Sequence, residues 1–167
     1  AEHHVQLSER FLQLGLAMMN RPLSKLAFLC SLMLMLGANS RAASADVVLI
    51  TASNNPINEL EKREVQSLYK GRLTSIKGNA LRPLNATPGS VERKQFLNRM
   101  MKLSELDYTG YWHVRRYSGQ GTPPLEVKSQ DELFDILKRQ PEGIGYLWVP
   151  PGSQAQLPEG VKVIEVK

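Results

Sequence analysis

The 167 residues include 21 Lys and Arg against 16 Asp and Glu, a net charge of +5, with 42% hydrophobic residues and one Cys. A lone cysteine excludes a disulfide framework, and so mild a charge excess lacks the dense basic face that a nucleic-acid binder needs. The length supports a single domain with its own core.

Residues 1–18 run up to the candidate starts Met18 and Met19 and read as a non-native or upstream extension, so His3-His4 is not taken as a metal site. Met19-Asn20-Arg21-Pro22-Leu23-Ser24-Lys25 is a short basic region and residues 26–36 are an apolar run. Small residues follow, with cleavage sites at Ala43-Ser44-Ala45 and Ser40-Arg41-Ala42. This three-part pattern predicts a secretory signal peptide over 19–45, cleaved near Ala45, and a periplasmic destination. The run is short for a membrane span, so no stable insertion is expected once the signal is removed. Cys30 leaves with the leader, and residues 46–167 carry +3.

The exported part opens with Asp46-Val47-Val48-Leu49-Ile50-Thr51, a β-branched run that predicts a strand buried on both faces of a parallel or mixed sheet. Ser53, Asn54 and Asn55 follow it. A polar loop leaving the carboxyl end of a buried strand is where ligands sit in open α/β sheets, although ordinary Asn-Pro turn chemistry already explains it. Asn58 with Glu61 predicts a capped helix with Leu60, Val65, Leu68 and Tyr69 inward, ending at Lys70-Gly71. Lys77-Gly78-Asn79 between two apolar stretches, 73–76 and 81–84, predicts a hairpin.

Thr87-Pro88-Gly89-Ser90-Val91-Glu92-Arg93 then reads as a loop feeding a helix with Phe96, Leu97, Met100 and Met101 on one face. Gly89 permits close backbone approach, and Ser90 can cap the helix. With Arg93 in the first turn, free amides such as that of Val91, the Ser90 and Thr87 hydroxyls and a guanidinium would meet at the positive end of a helix dipole, which suits a small oxyanion. The alternative is purely structural, with Ser90 only a cap and Arg93 in water.

Ser104 with Asp107 predicts a helix bearing Tyr108, Tyr111, Trp112, His113, Arg115 and Arg116, the aromatics anchoring the core. His113 has no second His or Cys after residue 45, so no metal is expected. A Gly/Pro-rich loop (117–124), a helix capped by Ser129 and Glu132, a strand over 144–149 with Gly145 marking close approach, and an edge strand over 161–166 complete the chain. Strands alternating with helices imply one α/β domain over 46–167. No nucleophile elbow, paired acids or metal spacing occurs, so no enzyme and no cofactor is expected.

Four segments in this order resemble the phosphate-binding-protein-like family, the periplasmic solute-binding proteins of phosphate ABC transporters and their short single-lobe relatives. They are Val65-Gln66-Ser67-Leu68-Tyr69-Lys70-Gly71, then Pro88-Gly89-Ser90 with Arg93 and Phe96. Tyr111-Trp112 with the 117–124 loop is the third, and Pro141-Glu142-Gly143-Ile144-Gly145-Tyr146 the fourth. The resemblance implies a single-lobe type 2 periplasmic-binding-protein-like sheet with flanking helices, and phosphate or a related oxyanion as ligand at Gly89 and Ser90. Arg93 would stand in for a lost family charge. This chain has Ala86 where full-length members have an Arg and Pro88 where they have an acid, and it lacks most of their N-terminal lobe. Implied partners are the small anion and an ABC transporter permease or another envelope protein. The rival expectation is an envelope interaction module that keeps the fold without a ligand, using Trp112, Tyr117 and the Gly/Pro loop.

Overall fold

The computed structural model describes residues 46–167; the expected extension over 1–18 and the expected signal peptide over 19–45 lie outside the described residues. β1 (Asp46–Ala52) is central, because its run of β-branched residues buries Val47, Leu49, Ile50, Thr51 and Ala52. It pairs antiparallel with β7 (Gly143–Val149) on one side and β8 (Val161–Val166) on the other. Beyond β8 lies the two-residue β2 (Glu59–Leu60); beyond β7 lie β5 (Arg82–Ala86) and then β6 (Leu125–Val127), with β5, β6 and β7 mutually parallel. The sheet is mixed, as expected.

Three helical elements cover one face. α1 (Lys62–Tyr69), α2 (Val91–Phe96) with the π-helical turn Leu97–Met101, and α3 (Glu105–Tyr117) supply Val65, Leu68, Tyr69, Phe96, Leu97, Met100, Met101, Tyr108 and Trp112 to the larger core. α4 (Gln130–Arg139) covers the other face with Leu133, Ile136 and Leu137. Gly145 on β7 faces α4 so closely that a Cβ there would lie 2.5 Å from Leu133 Cδ1. The close approach expected at this glycine is made by a side chain.

Four local expectations change. Asn58 does not cap α1: Glu59–Leu60 is drawn out as a strand by β8, and Glu61 caps the helix through a reciprocal box with Glu64. The hairpin turn at Lys77 and Gly78 is real, both with positive φ, but it joins only β3 (Ser75–Ile76) and β4 (Asn79–Ala80). Its second predicted strand belongs to the main sheet as β5. β8 is not an edge, since β2 covers it, and β6 was not foreseen. Ser129 caps α4, accepting from the Glu132 amide, while the Glu132 carboxylate reaches the Lys128 amide instead of closing a box.

Buried tyrosines tie helices to sheet. The Tyr69 hydroxyl lies 3.0 and 3.2 Å from the Leu84 and Ile144 carbonyls, and Tyr108 donates to the Tyr69 carbonyl at 2.9 Å. Burial raises Tyr69 and Tyr146 well above the usual phenol range and pushes Tyr108 up to about 12. A phenol whose folded pKa is raised contributes stability below its unfolded pKa and loses it as pH rises through the folded value. Stability should therefore fall steeply above about pH 10, by up to about 1.4 kcal/mol per pH unit for each of these residues. In a spectrophotometric titration, three of the five tyrosines should ionise only as the domain unfolds.

Candidate anion-binding site

Parallel β5 and β6 each end where a helix begins. β5 leads through Thr87, Pro88, Gly89 and Ser90 into α2; β6 leads through Lys128 and Ser129 into α4. A hollow of about 160 Å³ opens at these two carboxyl ends, walled by Thr87, Ser90, Lys128, Ser129, Gln130 and Trp148. Carboxyl ends of parallel strands are the usual ligand edge of an open α/β sheet.

The local sequence builds both helix starts alike. Gly89 takes a φ of +84°, which turns the chain into the helix, and the Ser90 hydroxyl accepts from the Arg93 amide at 3.3 Å. Ser129 accepts from the Glu132 amide at 3.1 Å. First-turn amides, those of Val91 and Glu92 and of Gln130 and Asp131, have no intrahelical acceptor, so two positive dipole ends serve one hollow. Lys128 adds a full positive charge, and Glu92 on the wall opposes it. The loop is held from below: the Ala86 amide donates to the Tyr146 hydroxyl at 3.0 Å, and that hydroxyl donates to Asn85 Oδ1. Tyr146 is fixed in turn by Phe96, stacked on it at 3.9 Å with an interplanar angle of 3°.

Arg93 does not face this hollow. It is buried, and its guanidinium is consumed: Nε and Nη2 meet Glu105 at 3.0 and 2.7 Å, while Nη1 meets Glu126 at 2.9 Å and the Ala86 carbonyl at 3.1 Å. Burial disfavours its charge, but the hydrogen bonds to Glu126 and Glu105 outweigh that and raise its pKa. The expectation that Arg93 supplies the anion's charge is therefore corrected. Two carboxylates of the chain already occupy that role, and Arg93 acts as the pin joining α2, α3 and β6.

Ser53 and Asn54 are corrected too. β1 runs antiparallel to β7, and β7 is parallel to β5, so the end of β1 lies at the opposite end of the sheet from Ala86. The length of β5 alone separates them by roughly 13 Å at about 3.3 Å per residue. The neighbouring Asn55 is structural, its amide donating to the Pro141 carbonyl and its oxygen accepting from the Ile57 amide. Thr87 and Ser90 line the hollow, while Gly89 and Val91 flank Ser90 in the chain without lining it. Lys128, Ser129 and Gln130 were missed as site residues. Ser129 was legible as a cap, but nothing local says that its helix begins beside Ser90.

Solved structures share this architecture. A phosphate ABC transporter substrate-binding protein from Clostridium perfringens with bound phosphate superposes at a TM-score of 0.56 and 19% identity, covering 73% of this chain and 45% of its own. An ABC-type phosphate transport receptor from Vibrio cholerae gives 0.54 and 18%, covering 73% and 46%. PstS from Borrelia burgdorferi gives 0.51 and 13%, covering 73% and 47%. The fold is that of the phosphate ABC transporter substrate-binding proteins. This chain spans less than half the length of each of them. No protein-family profile matches the sequence, and no curated protein is a significant match.

Among the described residues no group of His, Cys, Asp and Glu is placed to hold a metal ion, and no helix is long and apolar enough to cross a membrane.

Proposed function

We propose that this chain is an exported, periplasmic, non-enzymatic binder of phosphate or a related oxyanion, working with a phosphate-type ABC transporter or another envelope protein. The observation that supports this most is the convergence of two serine-capped helix starts on one hollow at the carboxyl ends of β5 and β6. Amides at Val91 and Gln130, the hydroxyls of Thr87, Ser90 and Ser129, and the Lys128 ammonium supply donors and positive potential for a tetrahedral anion. The likeness to phosphate-transport receptors agrees with that ligand class. Exposed Lys128, Ser129 and Gln130 leave the hollow open to water, so a bound anion stays partly hydrated and binding is weak.

Phosphate or sulfate at millimolar concentration should raise the melting temperature of the chain. Lys128→Glu, on an exposed side chain, should abolish the rise without changing the starting stability. Ser90→Gly should weaken the rise while costing only a few tenths of a kcal/mol, since Gly also tolerates the cap position. A rise of equal size in Lys128→Glu would remove this site from consideration.

A second reading is favoured by one observation. α3 presents Leu106, Val114 and Tyr117 to solvent at 82%, 70% and 88% exposure, a stripe suited to a protein partner. Trp112, expected on that surface, is instead buried. Under this reading an envelope protein would bind Lys128→Glu as well as the parent chain and fail to bind Tyr117→Ser.

A further inference from the structure

The anion hollow does not stand alone. Gln130 and Trp148, which border it, also border a neighbouring hollow of about 210 Å³, whose remaining wall comes from the end of β7 and the segment that follows it. A free phosphate in the first hollow would leave this second one to water.

The two are built for different chemistry. Lys128 and Glu92 border the first, whereas no charged residue lines the second. It carries three glutamines instead, Gln130, Gln154 and Gln156, all exposed, and none of their side-chain amides makes a hydrogen bond among the described residues. Each amide offers two N–H donors and an acceptor oxygen, a set that matches the hydroxyls of a neutral polar molecule. The segment bearing Gln154 and Gln156 is anchored on both sides. Before them, the Ser153 amide donates to the Pro150 carbonyl at 3.1 Å across a turn in which Gly152 takes a φ of +77°; after them, Leu157 packs against the core beneath α4. A wall already held in place has less freedom to lose when a ligand binds.

Positive potential at one end and uncharged amides at the other describe an elongated ligand with an anionic head and a hydroxyl-bearing body. A cavity of about 150 Å³ admits a benzene-sized molecule, so the second hollow has room for a body up to a six-membered ring. We infer that the ligand is a water-soluble phosphate monoester of a small polyol or sugar, not the free anion. Its phosphoryl group occupies the first hollow, the ester link crosses at Gln130 and Trp148, and the hydroxyls of the body bond to Gln154 and Gln156. This rests on the anion reading of the first hollow and narrows it to one class of ligand.

The test is calorimetric titration of the chain at about pH 8, where phosphate and its monoesters are both dianions. Glucose 6-phosphate should bind about tenfold more tightly than inorganic phosphate, the gain expected from two neutral hydrogen bonds. Glucose alone should give no measurable binding, and Lys128→Glu should abolish binding of both phosphates. Gln154→Ala combined with Gln156→Ala, on exposed side chains, should lower glucose 6-phosphate to the affinity of inorganic phosphate and leave inorganic phosphate unchanged. In NMR spectra the side-chain amide signals of Gln154 and Gln156 should move with glucose 6-phosphate and stay in place with inorganic phosphate. Equal affinities for the two phosphates, or an advantage of the ester that survives the double substitution, would overturn the inference and leave the anion site standing. Failure of both to bind would remove the anion site and this inference with it.

Discussion

Replacing Arg93 by Ala is expected to destabilise the domain by about 3 kcal/mol, the lower end of the cost of breaking a buried ion pair. The substitution strips the partner from Glu105 and Glu126 and removes a donor from the Ala86 carbonyl. The two carboxylates would then face one another across the space the guanidinium filled. Both are roughly half-exposed, so water can reclaim them, which is why the larger values of the range are not expected. In urea titrations the midpoint should fall sharply; in a thermal melt the loss corresponds to roughly 10 °C for a domain of this size. Arg93→Lys keeps the charge but cannot span both acids, and should fall between. The informative comparison is the response to phosphate: Arg93→Lys should retain the parent's thermal rise. A variant as stable as the parent but blind to phosphate would restore Arg93 as a ligand.

The second large effect is expected at Phe96. Its ring is wholly buried, stacked on Tyr146 and 4.5 Å from the Tyr69 ring, and Phe96→Ala should cost about 3–5 kcal/mol as a large-to-small change in a packed core. The cost also reaches the site. Without that ring Tyr146 gains freedom to tilt, and its hydroxyl is the acceptor for the Ala86 amide that seats the 87–90 loop. Hydrogen exchange at Ala86 should therefore accelerate more than global unfolding accounts for, and anion affinity should drop although Phe96 touches no ligand. If exchange at Ala86 merely follows the global stability, the stacked pair serves the core alone.

The sequence made the helix starts readable because a capping serine and the acid three residues on are local signals; Ser104 with Asp107 forms the box as expected. The partners of Arg93 were not readable, since Glu105 and Glu126 lie 12 and 33 residues away and meet it only through the packing of α2, α3 and β6. β2 and β6 have two and three residues, too few for a periodic pattern to register. The misplacement of Ser53 and Asn54 has a similar origin. A buried run announces a strand but not its direction relative to neighbours a hundred residues on, and direction decides which end of the sheet a loop occupies. The α/β character survived these errors because the apolar faces of α1, α3 and α4 and the buried runs at β1 and β7 were unambiguous.

The central position of β1 bears on how the chain reaches its native state. Its two neighbours are formed by residues 143–149 and 161–166, so the spine of the sheet joins the first described segment to the last two. Such distant pairing makes folding slow, because loop closure precedes any reward. A polypeptide emerging N-terminus first from a ribosome cannot complete this architecture until residue 166 is free. Late completion is thus built into the strand order itself.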